Sequence, residues 1–534
     1  MPVNLVLYNG DIHTMDAARP RARAMAIAGS RIWAVGGDAE MRALLAHGGQ
    51  AIDLQGHIAV PGFTDSHLHF MSYGLSLMEI DLHAVPTLEQ ALAHVIARAE
   101  NTPAGRWFTG HGWDHSLWAG GDFPNRHDLD RVAPLHPVWL ERKCGHVGWA
   151  NSRALALAGI TAGTADPPGG AIERDPMTGE PTGILKETAM ELVARLFADP
   201  SAAEGAQAIQ AASANAHKQG LVGVHTMEGA AALRAFQKLR AEGDLNLRVQ
   251  IQIPEENLDA AIQAGLQSGF GDERLRIGGV KVFSDGALGA RTAHMIEPFE
   301  GEPGNYGIAV SDAGHLREVV GKASRSGIAA FVHAIGDRAN REVLDAVEAS
   351  RHAGEGLHLR HRIEHVQILH PSDIPRLAKL GVVASMQPIH ATQDMLLADA
   401  LWGQRCAGAY AWRSLLDAGT VLAFGSDCPV EELNVMQGIH AAVTRRRADG
   451  TPGPAGWYPE QRLTVAESVY AYTAGAAYAS GEEAIKGTLT PGKLADLAVL
   501  SQDIFAIDPM GIRDTQVVAT LFDGQFVYKQ EGAL

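Results

Sequence analysis

Eight short runs of β-branched and apolar residues recur along the chain, separated by Ala-rich stretches with Leu and Val at helical spacing. This alternation constrains the fold more than any other feature. The runs are 58–65, 221–227, 247–253, 277–283, 328–333, 361–365, 382–386 and 421–427. Segments such as 311–326 and 338–349 carry the apolar period of crossover helices. Parallel βα units in this number close most simply into a (β/α)8 TIM barrel, which gathers catalytic groups at the strand C-termini.

Short strands joined by Gly, Asn and Asp turns open the chain at 3–8, 24–35 and 51–60, and the same texture returns only at 496–500, 517–522 and 525–528. The two termini are therefore expected to pair into one small β-sandwich domain, 1–60 plus 485–534, attached to a barrel over 61–484. The gap between the first two barrel runs is far longer than one crossover helix and holds strand-like runs of its own at 107–110 and 137–141. Residues 85–200 thus read as an insertion after barrel strand one, expected to cover the active-site face.

Charge narrows the partners. The 534 residues hold 44 Lys and Arg against 61 Asp and Glu, a formal charge of -17, with no basic cluster longer than Arg445–Arg447. Nucleic acid and anionic membrane surfaces are poor partners for such a chain. Asn4, Asn9, Asp11 and His13 interrupt the opening apolar residues, so no secretory leader is expected there. No run approaches the roughly 18 apolar residues of a membrane span. Cys144, Cys406 and Cys428 are widely separated, and a reducing cytoplasm is the expected home.

The first barrel run ends in His67-Leu-His69. Residues two apart on a strand face the same way, so both imidazoles can aim at one divalent metal. Alone, the pair is equally well read as two ordinary polar residues. Four more ligand-capable residues fall at or just after predicted strand ends: Lys281, His333, His365 and Asp427. A buried lysine and aspartate need partners or metal to offset desolvation, which favours one shared site.

The motifs around these residues resemble the amidohydrolase superfamily, and within it the YtcJ-like branch that includes N-substituted formamide deformylases. They are Pro-Gly-Phe-Thr-Asp-Ser-His-Leu-His (61–69), Gly-His-Val-Gly-Trp-Ala-Asn-Ser-Arg-Ala-Leu (145–155), Pro-Pro-Gly-Gly (167–170) and Gly-Glu-Pro-Thr-Gly-Ile-Leu (179–185). Val-Lys-Val-Phe-Ser-Asp-Gly-Ala-Leu-Gly-Ala-Arg-Thr-Ala (280–293), His-Ala-Ile-Gly-Asp-Arg-Ala-Asn (333–340), Arg-Ile-Glu-His (362–365), Gly-Ser-Asp-Cys-Pro-Val (425–430) and Gly-Lys-Leu-Ala-Asp-Leu-Ala-Val-Leu (492–500) follow in order. The resemblance implies that His67 and His69 hold one zinc-like ion and that His333 and His365 hold a second. It places Asp427 on the first ion and the attacking water, as general base and then acid. Lys281 would bridge the two ions as a carbamate, since a free ammonium cannot ligate a cation. The other reading of Lys281 is an ion pair with Asp285.

Further candidates are softer. His146, in the Gly-His-Val-Gly-Trp motif, either stabilises a developing oxyanion or bonds to backbone in its loop. Trp113 and His115, with Trp118 and Phe123, line an apolar pocket wall or belong to core. Asp285 and Arg291 flank a Gly-rich turn, where they orient substrate or form a buried salt bridge. Glu364 and Arg362 are not expected to reach the metals, and His217, His225 and the cysteines read as structural.

The expected activity is metal-dependent hydrolysis of a C–N amide bond in a small N-substituted amide. Hydrolysis of a cyclic amide or lactone, or deamination, needs the same metal site, and a catalytically silent small-molecule-binding barrel would be expected to have lost a ligand. Manganese, iron, cobalt or nickel would satisfy the same donors as zinc. A homodimer is what the resemblance implies for assembly.

Overall fold

The computed structural model describes residues 2–83, 85–143, 147–197 and 200–534. It divides into two compact units, Met1–Met71 with Ile209–Leu534, and Ser72–Ala208.

The first unit contains an eight-stranded parallel sheet: β1 (Phe63–Leu68), β2 (Leu221–Thr226), β3 (Arg248–Pro254), β4 (Leu275–Phe283), β5 (Ala329–Ala334), β6 (Arg362–His365), β7 (Val383–Met386) and β8 (Leu422–Phe424). Every strand pairs with the next in sequence. Helices such as Ala313–Arg325, capped by the Asp312 carboxylate on the His315 amide, and Asp337–His352 provide the crossovers. Both bury one apolar face, Leu316, Val319, Val320 and Ala323 in the first, Val343, Leu344, Ala346 and Val347 in the second.

The sheet closes at a seam without a regular ladder. The Asp427 amide donates to the His67 carbonyl at 2.7 Å and the His69 amide to the Cys428 carbonyl at 2.8 Å. The buried Asp65 carboxylate accepts the amides of His67 at 3.1 Å and Ser426 at 3.0 Å, tying the first and eighth strands together. Glycine is required opposite it, because a Cβ on Gly425 would lie 2.5 Å from the His67 nitrogen and 2.6 Å from Asp65 Oδ1.

The expected first run, 58–65, is two strands rather than one. Ile58–Pro61 pairs antiparallel with Leu497–Leu500 in the small β domain, and the barrel strand begins at Phe63. No polar residue occurs from Ile58 to Phe63 and both pieces are fully buried, so hydrophobicity gives no sign of the break at Gly62.

Two sheets make the small domain. One holds Arg31–Gly36, Ala24–Ala28, Val3–Tyr8 and Leu45–Asp53; the other orders Gln525–Lys529, Val517–Phe522, Leu497–Leu500, Ile58–Pro61, Asp11–His13 and Arg21–Ala22. They share a core that includes Leu5, Leu7, Met25, Ile27, Leu497, Val499, Val518 and Leu521. Residues from both termini are thus indispensable to one sandwich.

The second unit carries a six-stranded mixed sheet built from Ile80–Asp81, Phe108–Trp113, Val138–Arg142, Val147–Ala150, Pro181–Glu187 and Gly170–Arg174. Its core includes Trp113, Trp118, Leu140, Trp149 and Ile184. No helix among the described residues is long and apolar enough to cross a membrane.

Replacing Asp65 with Ala strands two buried amide donors at the seam, and such unsatisfied groups cost about 1–3 kcal/mol each. Asp65→Ala is therefore expected to lower the denaturant midpoint of the metal-free protein at unchanged m-value; an unaltered midpoint would show that the seam does not need this carboxylate.

Candidate active site

The C-terminal ends of the barrel strands bring all six sequence-predicted ligands to one cavity of about 360 Å³, lined by His67, His69, Lys281, His333, His365 and Asp427. His67 and His69 come from β1 and its end, Lys281 from β4, His333 from β5, His365 from β6 and Asp427 from the turn after β8. Ligand atoms of His67, His365 and Asp427 lie within 4.8 Å of one another. Nε2 of both His67 and His69 stands 3.5 Å from Asp427 Oδ1. The His333 ring centroid is 4.6 Å from that of His365, which is 4.7 Å from that of His67.

Ring protons are assigned away from the cavity. His67 Nδ1 donates to Glu364 Oε2 at 2.6 Å, His365 Nδ1 to Gln387 Oε1 at 2.9 Å, and His333 Nε2 to the Gly286 carbonyl at 3.0 Å. Each bond leaves the other ring nitrogen with its lone pair facing inward, as metal ligation requires. Burial and the nearby Lys281 push His67 down to about 4 and His333 down to about 3, and burial with the neighbouring rings holds His365 well below its usual value. The three imidazoles are neutral at physiological pH.

Burial lowers Lys281 to about 8, so a minor neutral amine fraction exists near neutrality. Its Nζ lies 4.8 Å from the Phe283 ring centroid. The alternative partner, Asp285, is occupied elsewhere: its carboxylate accepts the amides of His294, Ile335 and Gly336 at 2.8–3.0 Å. Asp285 is a buried clamp on the loops after β4 and β5, which replaces the expected substrate contact. Nor does it pair with Arg291, whose guanidinium binds Glu302.

Two residues that the sequence reading did not single out complete the site. His390, on the helix that follows β7, places Nε2 3.3 Å from Asp427 Oδ2 and Nδ1 3.1 Å from Glu431. Burial opposes its charge, but hydrogen bonds to Asp427 and Glu431 raise it to about 10, so His390 is a cation. Burial likewise opposes the charge of Asp427, and the hydrogen bonds of His390 and His69 still keep it ionised well below the usual carboxylate range. His390 follows Gln387-Pro388 just past the β7 strand end, a position that carried a usable signal. Glu364 does not face the cavity, as expected; it is fully buried between Arg362 and His67 and orients the His67 ring.

Site backbone is unusual as well. His365 and Asp427 adopt φ of 78° and 60°. Non-glycine residues pay a cost for this region, and its occurrence at two ligands fits a built site.

Trp113 is fully buried in the core of the second unit, where its indole NH donates to the Leu140 carbonyl at 2.8 Å. A side chain with no exposed surface makes no pocket wall, so the core reading holds. His115 stacks on Phe123 at 4.1 Å and accepts from Arg142 at 3.2 Å. His146 lies outside the described residues. His217 and His225 are structural, bonded to the Asn246 carbonyl and to Arg362, and Cys406 and Cys428 are buried.

The model of the amidohydrolase family matches residues 50–528. Protein LONG AFTER FAR-RED 3 of Arabidopsis thaliana is 35% identical over 98% of this chain and 91% of its own length. N-substituted formamide deformylase of Arthrobacter pascens is 30% identical over 99% of both chains. The crystal structure of an uncharacterized metal-dependent hydrolase from Pyrococcus furiosus superposes with a TM-score of 0.79 at 31% identity, covering 94% of this chain and 99% of that one.

Outer-shell partners of metal-bound histidines typically contribute 10–100-fold to metal affinity. Glu364→Gln is expected to weaken binding by about that factor, read by competition against a chromophoric chelator. Wild-type affinity in the variant would show that the His67–Glu364 bond has no such role.

Proposed function

The chain belongs to the amidohydrolase family, and on that premise we propose that this metal-dependent hydrolase cleaves the C–N amide bond of a small N-substituted amide. The observation that carries the reading is the meeting of His67, His365 and Asp427 ligand atoms within 4.8 Å. The kinship to N-substituted formamide deformylase supports the amide class.

The donor set fits borderline divalent ions, zinc first. His67, His69 and Asp427 would hold one ion and His333 and His365 a second, with a carbamate on Lys281 between them. An ion held there supplies a Lewis acid for the carbonyl and lowers the pKa of a water from about 15.7 toward about 7. Lys281 suits its role because its neutral amine can add carbon dioxide, releasing one proton and leaving a carbamate whose single negative charge is shared by two oxygens.

Asp427 carries the proton. Its Oδ2 is held by His390, while Oδ1 faces the β1 imidazoles. The carboxylate accepts the water proton as the C–O bond forms and delivers it to the nitrogen as the C–N bond breaks, so that a neutral amine departs. His390, fixed in turn by Glu431, acts as a positioning residue: it sets the orientation of Asp427 without touching the reacting atoms.

Amine release from a panel of N-substituted formamides, acetamides and aryl amides, with and without chelator, tests the reading. Chelator-sensitive release is the expected result; no release from metal-loaded protein would refute amide hydrolysis. General acid–base groups contribute about 10²–10⁴-fold, and Asp427→Asn is expected to lower kcat by at least about that range. Near-normal turnover in this variant with its metal retained would remove Asp427 from the proton path.

A further inference from the structure

A second cavity, of about 490 Å³, adjoins the catalytic one and shares Lys281 and Phe283 with it. It opens at the ends of β2 and β3, two of the three barrel strands that contribute none of the six ligands. Glu228 follows β2, Gln252 lies on β3, and Glu255 and Glu256 follow β3 directly.

Gln252 is the informative residue. Only 3% exposed, it accepts the Gly279 amide through Oε1 at 2.9 Å, which fixes which end of its amide is oxygen. The Nε2 at the other end is a donor with no partner among the described residues. A buried donor in this state is costly, and an acceptor oxygen on a ligand would satisfy it. The carboxylates of Glu228, Glu255 and Glu256 add negative charge at the same end. Glu228 is 8% exposed and oriented by the Met71 amide and the Thr226 hydroxyl, both at 2.8 Å from Oε2. Glu255 is paired with His315, and Glu256 brings a further negative charge to the rim. Between this acidic end and the catalytic cavity lies Phe283, 48% exposed, a surface for an apolar spacer.

We infer that this cavity is the subsite for the amine side of the substrate, and that it takes a short methylene chain ending in an ammonium beside a neutral carbonyl or hydroxyl oxygen. The ammonium meets Glu228 and Glu256, the oxygen accepts from Gln252 Nε2, and the chain crosses Phe283 toward the scissile amide. The substrate class is therefore an N-acylated diamine with an amino-amide or amino-alcohol head. This rests on the amide-hydrolase reading and narrows it.

Three formamides test it on the metal-loaded protein: Nε-formyl-lysinamide, N-formylcadaverine, which lacks the carbonyl, and formamidohexanamide, which lacks the ammonium. The kcat/KM for Nε-formyl-lysinamide is expected to exceed each of the others by about tenfold or more, the scale of a hydrogen bond to a charged group. Gln252→Leu is expected to erase the advantage over N-formylcadaverine, and Glu256→Gln, on the rim, to narrow the advantage over formamidohexanamide. Equal kcat/KM for all three would overturn the subsite while leaving amide hydrolysis in place. Release from none would overturn amide hydrolysis itself. Should Gln252→Leu fail to fold, the wild-type ranking and Glu256→Gln still decide the outcome.

Discussion

The seam between the first and eighth barrel strands is the contact on which the rest of the structure depends. A parallel sheet of eight strands has two edges, and burying them unpaired would leave rows of amides and carbonyls without partners. Here the edges are joined by the Asp427 and His69 amides and by the Asp65 carboxylate, which accepts amides from both sides. The residues that close the barrel are those, or the neighbours of those, that would hold the metal. Closure and catalysis are thereby one structural event: the chain cannot complete its sheet without bringing His67 and His69 to Asp427.

Gathering six polar side chains in one cavity would be ruinous if each carried its charge unaided. The site avoids this by sorting them. His67, His333 and His365 are held neutral by burial, each with its proton given to a group behind it. Two of the charges that persist come in pairs, Glu364 with Arg362 behind His67 and Asp427 with His390, and the Lys281 ammonium is favoured by the charges of Glu364 and Asp427. The ligand rings are thus oriented from behind, His67 by the Glu364 carboxylate, His365 by the Gln387 amide and His333 by the Gly286 carbonyl, and the inward lone pairs are left for a cation.

Much of this was legible in the sequence, because a barrel writes its active site at strand ends and six ligand-capable residues fell there. Seven of the eight barrel strands fall within a few residues of the expected bounds. The exception, 58–65, failed for a physical reason: the sandwich strand and the start of the barrel strand are both buried and no polar residue separates Ile58 from Phe63, so the pattern does not mark the junction at Gly62. His390 was missed because it stands on a helix rather than a strand, four residues beyond β7. Asp285 misled for the converse reason. It sits where a substrate contact would, yet three backbone amides consume its carboxylate, and sequence does not reveal where a loop's amides point. The aromatic run around Trp113 was ambiguous by nature, since a pocket wall and a core demand the same side chains.

The burial of Trp113 also changes where specificity resides. With that ring spent on the core of the second unit, the apolar pocket wall read from the sequence loses its central member. The barrel itself offers the alternative. Strands β1, β4, β5, β6 and β8 supply the ligands, and the helix after β7 supplies the residue that holds Asp427, which leaves the ends of β2 and β3 without a part in the chemistry. Those ends carry Glu228 and Gln252, polar side chains buried where Val or Leu would pack more cheaply. Both side chains already bond to backbone, Glu228 to the Met71 amide and Gln252 to the Gly279 amide, and recognition of a polar substrate end is the further use proposed for them.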